Sequence, residues 1–243
     1  MASARSKSLF HYTEKLKSLK GILESGFHPR YSEEDVTWIV SDPSRVAFPM
    51  VCFCDIPLSR VDDHVDFYGQ YGIGLEQSWG VPKGITPVTY ISHNSDHIQD
   101  FRRLGKVTKE NDILELGIAF YGFLAHTKPL MGSMIRKSKS LKRYFYKECE
   151  WRFIPKIKRD HIDSFMSPEK YKNKELLEKN HRLLKDSYPL KFSAKNVRHI
   201  ILKDESEIPE IYEFIENLKH YSKEEKRILN TRITTLSAIK DDY

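Results

Sequence analysis

Two glutamates, one histidine and a few tyrosines carry most of the chemistry this chain can offer. Lys147-Glu148-Cys149-Glu150-Trp151-Arg152-Phe153-Ile154 sets two carboxylates two positions apart at the mouth of an apolar run. Read as part of a strand over residues 144–154, alternation puts Glu148, Glu150 and Arg152 on one face and Cys149, Trp151 and Phe153 on the other. Carboxylates placed this way can steady a positive charge developing at a sugar carbon. They can equally form a solvated ion-pair ladder. Phe10-His11-Tyr12-Thr13 adds an imidazole, suited to bonding a ligand or a neighbouring carbonyl. Val51-Cys52-Phe53-Cys54-Asp55 leads to Ser59, Tyr68 and Tyr71, whose rings could stack on planar, partly cationic groups or serve as packing.

A second kind of chemistry lies just upstream of the glutamates. Arg136, Lys137, Lys139, Lys142 and Arg143, continued by Lys147, form a basic stretch interleaved with Tyr144 and Tyr146. Such a run is either a solvated loop or a surface for a phosphate-bearing partner, with the tyrosines stacking on bases. Several chemistries are not signalled. Cys52-x-Cys54 lacks the second ligand pair of a structural zinc site, so no metal is expected. Gly69-x-x-Gly72-x-Gly74 has the wrong spacing for a dinucleotide fingerprint. Neither a phosphate-binding P-loop nor a Gly-x-Ser-x-Gly elbow is present.

The elements that must position these groups are legible from periodicity. Residues 9–12 read as a strand, and Thr13 as the cap of a helix carrying Leu16, Leu19, Ile22 and Leu23 up to Gly26. A weaker strand is expected over Val36 to Val40, and a buried one over 46–56. Ser59 to Asp62 has capping-box spacing and predicts a helix lined by Val61, Val65 and Tyr68. Further strands are expected over Ile73 to Glu76, Thr86 to Ser92 and Val197 to Lys203. Helices are expected over 95–104, over 109–126 with Ile113, Leu116, Phe120 and Leu124 inward, and around Ile208, Ile211, Ile215 and Leu218. Residues 136–143 read as a loop, 160–187 as a helical insertion and 221–243 as a tail with a short helix. Strands and helices mix without strict alternation, which predicts an α+β fold.

The 243 residues are 40% hydrophobic and 30% charged, enough for one domain over 1–243 with a sizeable core. No apolar run is long enough to span a membrane, and no signal-peptide pattern opens the chain. Three cysteines, Cys52, Cys54 and Cys149, suit a reducing compartment, so a cytoplasmic location is expected. The net charge of +6 is compatible with an anionic partner without establishing one.

Taken in order, several of these segments resemble ADP-ribosyltransferases: His11-x-Thr13, Ile22-Leu23-x-x-Gly26, Phe53-Cys54-Asp55, then Ser59, Tyr68 and Glu150. A closer resemblance, over Phe10-His-Tyr-Thr13, Phe48-Pro-Met-Val-Cys-Phe-Cys-Asp-Ile-Pro-Leu-Ser59, Tyr68-Gly-Gln-Tyr-Gly-Ile-Gly74 and Glu148-Cys-Glu-Trp-Arg152, is to the AbiGi family of abortive phage-infection proteins. The first resemblance implies a split-sheet ADP-ribosyltransferase-like fold with flanking helices and NAD as substrate. Glu150 would be catalytic and Glu148 would face the acceptor. His11, Thr13, Ser59, Tyr68 and Tyr71 would shape the NAD cleft, and the basic stretch would meet a nucleic-acid acceptor. Tyr12 stands where such proteins carry Gly, and Cys52 where many carry a stacking Tyr. The second resemblance implies phage defence within a toxin–antitoxin pair, and with it the alternative of a non-enzymatic antitoxin or sensor that binds a toxin.

Overall fold

The computed structural model describes the backbone of residues 6–40, 45–111, 114–136, 139–158 and 161–242. The chain opens with β1 (Ser8–Thr13), α1 (Leu16–Ser25), β2 (Arg30–Asp35), β3 (Arg45–Cys54), α2 (Asp62–Tyr68), β4 (Tyr71–Glu76) and a single turn, α3 (Gln77–Gly80). There follow β5 (Thr86–Pro87), β6 (Thr89–Ile91), α4 (Asp96–Asn111), α5 (Leu114–Ala125), β7 (Thr127–Pro129), β8 (Met131–Arg136), β9 (Lys139–Tyr144) and β10 (Glu150–Phe153). The last part holds α6 (Pro168–Lys172), α7 (Lys174–Ser187), β11 (Val197–Leu202), α8 (Ile208–Asn217), α9 (Lys223–Asn230), β12 (Ile233–Thr235) and α10 (Leu236–Asp242). The mixture is α+β, as the patterning predicts. Two compact units divide the residues: Met1–Phe27, Cys52–Ile85 and Pro189–Tyr243 in one, His28–Val51 and Thr86–Tyr188 in the other. No helix among the described residues is long and apolar enough to cross a membrane.

The first unit is organised by β1. It runs antiparallel to β4 from Ser8↔Glu76 to Thr13↔Tyr71 and meets β3 at Phe10↔Cys54. β4 pairs antiparallel with β11, and β11 parallel with β12. The core comprises Leu9, Ile73, Leu75, Ile200 and Leu202 from the strands, with Leu19, Leu23, Ile211 and Ile215 from α1 and α8. Gly26 closes α1 at φ +81, where a Cβ would stand 2.8 Å from the Leu190 carbonyl oxygen, so only glycine fits that exit. Thr13 does not cap α1. It stays in the β1 ladder, and Lys15 flanks the helix without a side-chain bond. Ser59 lies in a 3-10 turn over Leu58–Arg60, and α2 begins behind Val61 with no side-chain cap, so the capping-box reading fails there. The tail is ordered further than expected. Ser222 and Glu225 form a capping box for α9, and β12 extends the sheet.

In the second unit β2 pairs antiparallel with β3 from Arg30↔Met50 to Asp35↔Arg45. The strand expected at Val36 to Val40 is instead a turn, because the Asp35 carboxylate accepts the Thr37 N–H at 2.9 Å and its hydroxyl at 2.6 Å. β10 pairs with β5, β6 runs parallel to β7, and β8 and β9 form a two-stranded ribbon. That ribbon replaces the expected basic loop. The helix expected over 95–104 runs on to Asn111, and Ile113 lies outside the described residues. Tyr31, Ala47, Ile162, Met166 and Leu184 make a core shared by β2, β3 and α7.

Candidate functional site

Of the residues singled out in the sequence, His11, Thr13, Ser59, Tyr68 and Tyr71 lie in the first unit, and Glu148 and Glu150 in the second. In the first, β1 directs His11 among aromatic rings. Its ring lies edge-on to Phe27 at 5.2 Å and to Phe53 at 5.9 Å, and Nδ1 is 2.8 Å from the Cys52 carbonyl oxygen. A carbonyl only accepts, so Nδ1 carries the proton and neutral His11 presents Nε2 as an acceptor. Loss of water around the ring lowers its pKa, against a smaller opposing effect of the Cys52 bond.

Tyr68 sits elsewhere in this unit. At the end of α2 its ring lies tilted, 4.5 Å from His64, and His64 in turn meets Tyr12 at 5.5 Å. Tyr12 follows His11 on β1 and so projects from the opposite face of the strand. The His11 and Tyr68 rings therefore belong to different aromatic groups. Tyr71 is opposite Thr13 in the ladder, and its hydroxyl donates to Glu207 at 2.6 Å. That bond, with burial and nearby carboxylates, pushes the phenol up to about 12. Ser59 is exposed. Gly69, at φ +130, presses against the backbone of Thr13, where a Cβ would come within 2.2 Å. Gly72 and Gly74 seat the Tyr12 and Phe10 rings, with Cβ positions 2.8 and 2.6 Å from them. The glycines of this stretch are thus seats for β1 rather than a phosphate cradle.

In the second unit Glu150 opens β10. Its N–H donates to the Tyr90 hydroxyl at 3.0 Å, and its carbonyl accepts from Val88 N–H at 2.9 Å. Both carboxylate oxygens are engaged. Oε1 accepts from Arg152 Nε at 2.7 Å; Oε2 accepts from Arg152 Nη2 at 3.2 Å and lies 2.8 Å from Lys128 Nζ. Arg152 is fully buried and also donates to Glu34 and to the Ala125 carbonyl, at 2.7 and 2.6 Å. Glu148, 3% exposed, reaches the same Lys128 at 3.3 Å and Arg143 at 3.5 Å. Lys128 also lies over the Phe145 ring at 4.8 Å. Burial alone would raise the Glu150 pKa, but the charges of Arg152 and Lys128 outweigh it and hold the carboxyl far below its usual range. Burial opposes the charge of Lys128, and Glu150 with Glu34 more than restores it.

The expected continuous strand over 144–154 does not form. Phe145–Glu148 is a 3-10 turn, and Cys149 follows at φ 45, the one non-glycine with positive φ among the described residues. The two glutamates therefore converge through a left-handed kink and a shared lysine, not through strand alternation. Lys128, Glu34, Tyr90 and His64 touch these residues and are not singled out by the sequence. Lys128 follows His126 and Thr127 and precedes Pro129, a local pattern that carries no signal for its place in the cluster. Lys142 is exposed and Arg143 half-buried on β9. Arg136 pairs with Lys139 in the backbone register of the ribbon; their side chains, and all of Lys137, lie outside the described residues.

A buried, fully compensated charge cluster and a separate aromatic neighbourhood do not by themselves name a protein class. Residues 25–203 match the family described as "Putative abortive phage resistance protein AbiGi, antitoxin", and the chain belongs to that AbiGi family. The matched stretch contains Ser59, Tyr68, Tyr71, Glu148 and Glu150; His11 and Thr13 precede it. A curated relative, "Abortive phage resistance protein AbiGi" of Lactococcus lactis subsp. cremoris, is 26% identical over 253 residues, covering 89% of this chain and 99% of the relative. No solved structure matches the chain.

Proposed function

We propose that this chain serves phage defence as an antitoxin, restraining a toxin partner by binding it rather than by catalysis. The observation that carries this reading is the engagement of Glu150. Its two oxygens are held by Arg152 and Lys128 at 2.7 to 3.2 Å in a buried cluster. Three of the roughly four acceptor positions of that carboxylate are taken, so a ribose hydroxyl would have to enter a cluster that is 8% exposed at Glu150 and already charge-paired. The family description supports the same reading.

ADP-ribosyl transfer from NAD to a macromolecular acceptor, on a split-sheet transferase-like fold, is the second reading. What favours it is that Glu150 stays ionised, as a carboxylate facing an oxocarbenium-like centre must. Under it, Glu148 serves the acceptor side, and His11, Thr13, Ser59, Tyr68 and Tyr71 serve NAD.

One experiment separates the two. The chain is co-expressed with the product of the neighbouring gene, growth is followed, and the tagged chain is purified. The binding reading expects rescue of growth, a co-purifying partner, and no nicotinamide release when the purified complex is incubated with NAD. Nicotinamide release by the wild-type chain, lost in Glu150→Gln protein shown to be folded by circular dichroism, would replace it with the enzymatic reading. Growth arrest that the chain neither relieves nor alters would remove the antitoxin role.

A further inference from the structure

The ribbon of β8 and β9 takes no part in the antitoxin reading of Glu150, yet it holds the most uneven charge in the chain. Residues 131–147 contain six Lys or Arg and no Asp or Glu, while the rest of the chain carries thirty-four of each sign. The entire net charge of +6 therefore resides in seventeen consecutive residues.

The register sorts what this segment presents. In an antiparallel pair, directly opposed residues project from the same face. Met131↔Tyr144 and Ser133↔Lys142 share one face, Gly132↔Arg143 and Met134↔Leu141 the other. The second face is tied down at its base. Phe145 covers Gly132, where a Cβ would meet the ring at 2.6 Å, and Arg143 turns to Glu148 at 3.5 Å. The first face is open: Met131 is 41% exposed, Tyr144 52% and neighbouring Tyr146 45%, with Ser133 and Lys142 exposed beside them. Tyr144 and Tyr146 meet edge to face at 6.0 Å, and the Lys147 ammonium lies 5.3 Å above the Tyr144 ring.

We infer that this face binds single-stranded nucleic acid, with Tyr144 and Tyr146 stacking on bases and Lys142 and Lys147 meeting phosphates. Positive charge alone would suit any polyanion. The exposed rings select for bases whose faces are open, which a duplex hides and an acidic peptide lacks. This inference stands apart from the toxin-binding reading and does not depend on it.

The test is fluorescence anisotropy of the full chain with labelled oligouridylate and oligothymidylate of about 20 nucleotides, a duplex of equal length, and polyglutamate as competitor, across a salt series. The expected result is tighter binding to both single strands than to the duplex, weakening as salt rises. Tyr144→Ala/Tyr146→Ala should weaken binding by about tenfold or more and leave the salt slope unchanged. Lys142→Gln/Lys147→Gln should weaken it and flatten the slope by about 0.7 for each phosphate no longer neutralised. A preference between the RNA and DNA strands would tell whether a 2′-hydroxyl is read. Thermal melts show that the variants are folded. Binding absent at low salt, equal for duplex and single strand, reversed equally by polyglutamate, or unaffected by removal of both rings would overturn the inference.

Discussion

Half-buried His11 and buried Glu150 both lose water, and the chain treats them in opposite ways. Around His11 stand Phe27 and Phe53, with one carbonyl to bond, so the imidazole gives up its charge. Around Glu150 stand Arg152 and Lys128, so the carboxylate keeps its charge. A half-buried base without an acid neighbour is neutral, and replacing it strands no charge. A buried acid held by two cations is part of a cluster in which every member depends on the others. The difference predicts unequal costs of substitution.

The largest effect is expected at Arg152. It has no exposed surface, bonds both Glu150 and Glu34, and satisfies the Ala125 carbonyl. Arg152→Met fills similar volume but leaves Glu150 with Lys128 alone. A loss of about 3–5 kcal/mol is expected, the range for breaking a buried pair from one side. Urea unfolding followed by circular dichroism reads it. A loss under about 1 kcal/mol would mean that water reaches the cluster, and the contrast with His11 would collapse.

Lys128→Met should cost less, about 2 kcal/mol, on the scale of hydrogen bonds to charged groups. Glu150 retains Arg152, and Glu148 retains Arg143 at 3.5 Å. Pairing the change with Glu148→Gln sharpens the test, because the amide no longer needs the ammonium. The double variant should be more stable than the sum of the single losses predicts, by about 0.5–3 kcal/mol, the usual range for residues in one network. Strict additivity would show that Glu148 and Glu150 do not share Lys128.

The two neighbourhoods also differ in how far the sequence discloses them. The apolar strand around Val46 to Cys54 is legible because burial on both faces makes it a continuous apolar run, and the helix carrying Ile211 and Ile215 because burial of one face imposes a period. β2, Arg30-Tyr-Ser-Glu-Glu-Asp35, is not, because its strand form comes from pairing with β3 and not from its own residues. The proximity of Glu148 and Glu150 is legible from spacing, but its cause is not, since nothing about a cysteine announces a left-handed turn at Cys149. Lys128 meets Glu148 across 20 positions and Glu34 meets Arg152 across 118, and a single chain carries no local mark of such meetings. In the first unit, the motif order suggests that His11 and Tyr68 face one cleft. The alternation of β1 instead turns Tyr12 away from His11, and Tyr12 is the ring that meets His64 and through it Tyr68.

The smallest effect, and the one that tests the comparison from the other side, is at His11. His11→Phe keeps the apolar volume and gives up one neutral hydrogen bond to the Cys52 carbonyl, so about 1 kcal/mol should be lost near pH 8. The pH dependence is the sharper reading. The folded-state pKa is lowered below the unfolded value of about 6.5, so below that pH the unfolded chain binds the proton more readily than the folded one. His11 therefore contributes its stability fully above about pH 6.5, and that contribution declines as pH falls towards the lowered pKa. Other histidines, His126, His181 and His199, are lowered by burial too and share the slope, which is why the variant must be compared with wild type at each pH. The gap between wild type and His11→Phe should narrow from about pH 8 to about pH 5.5 in urea midpoints. A gap that widens on acidification would mean that the folded chain favours the charged imidazole, placing an acid beside it and making the His11 neighbourhood a second version of the one around Glu150.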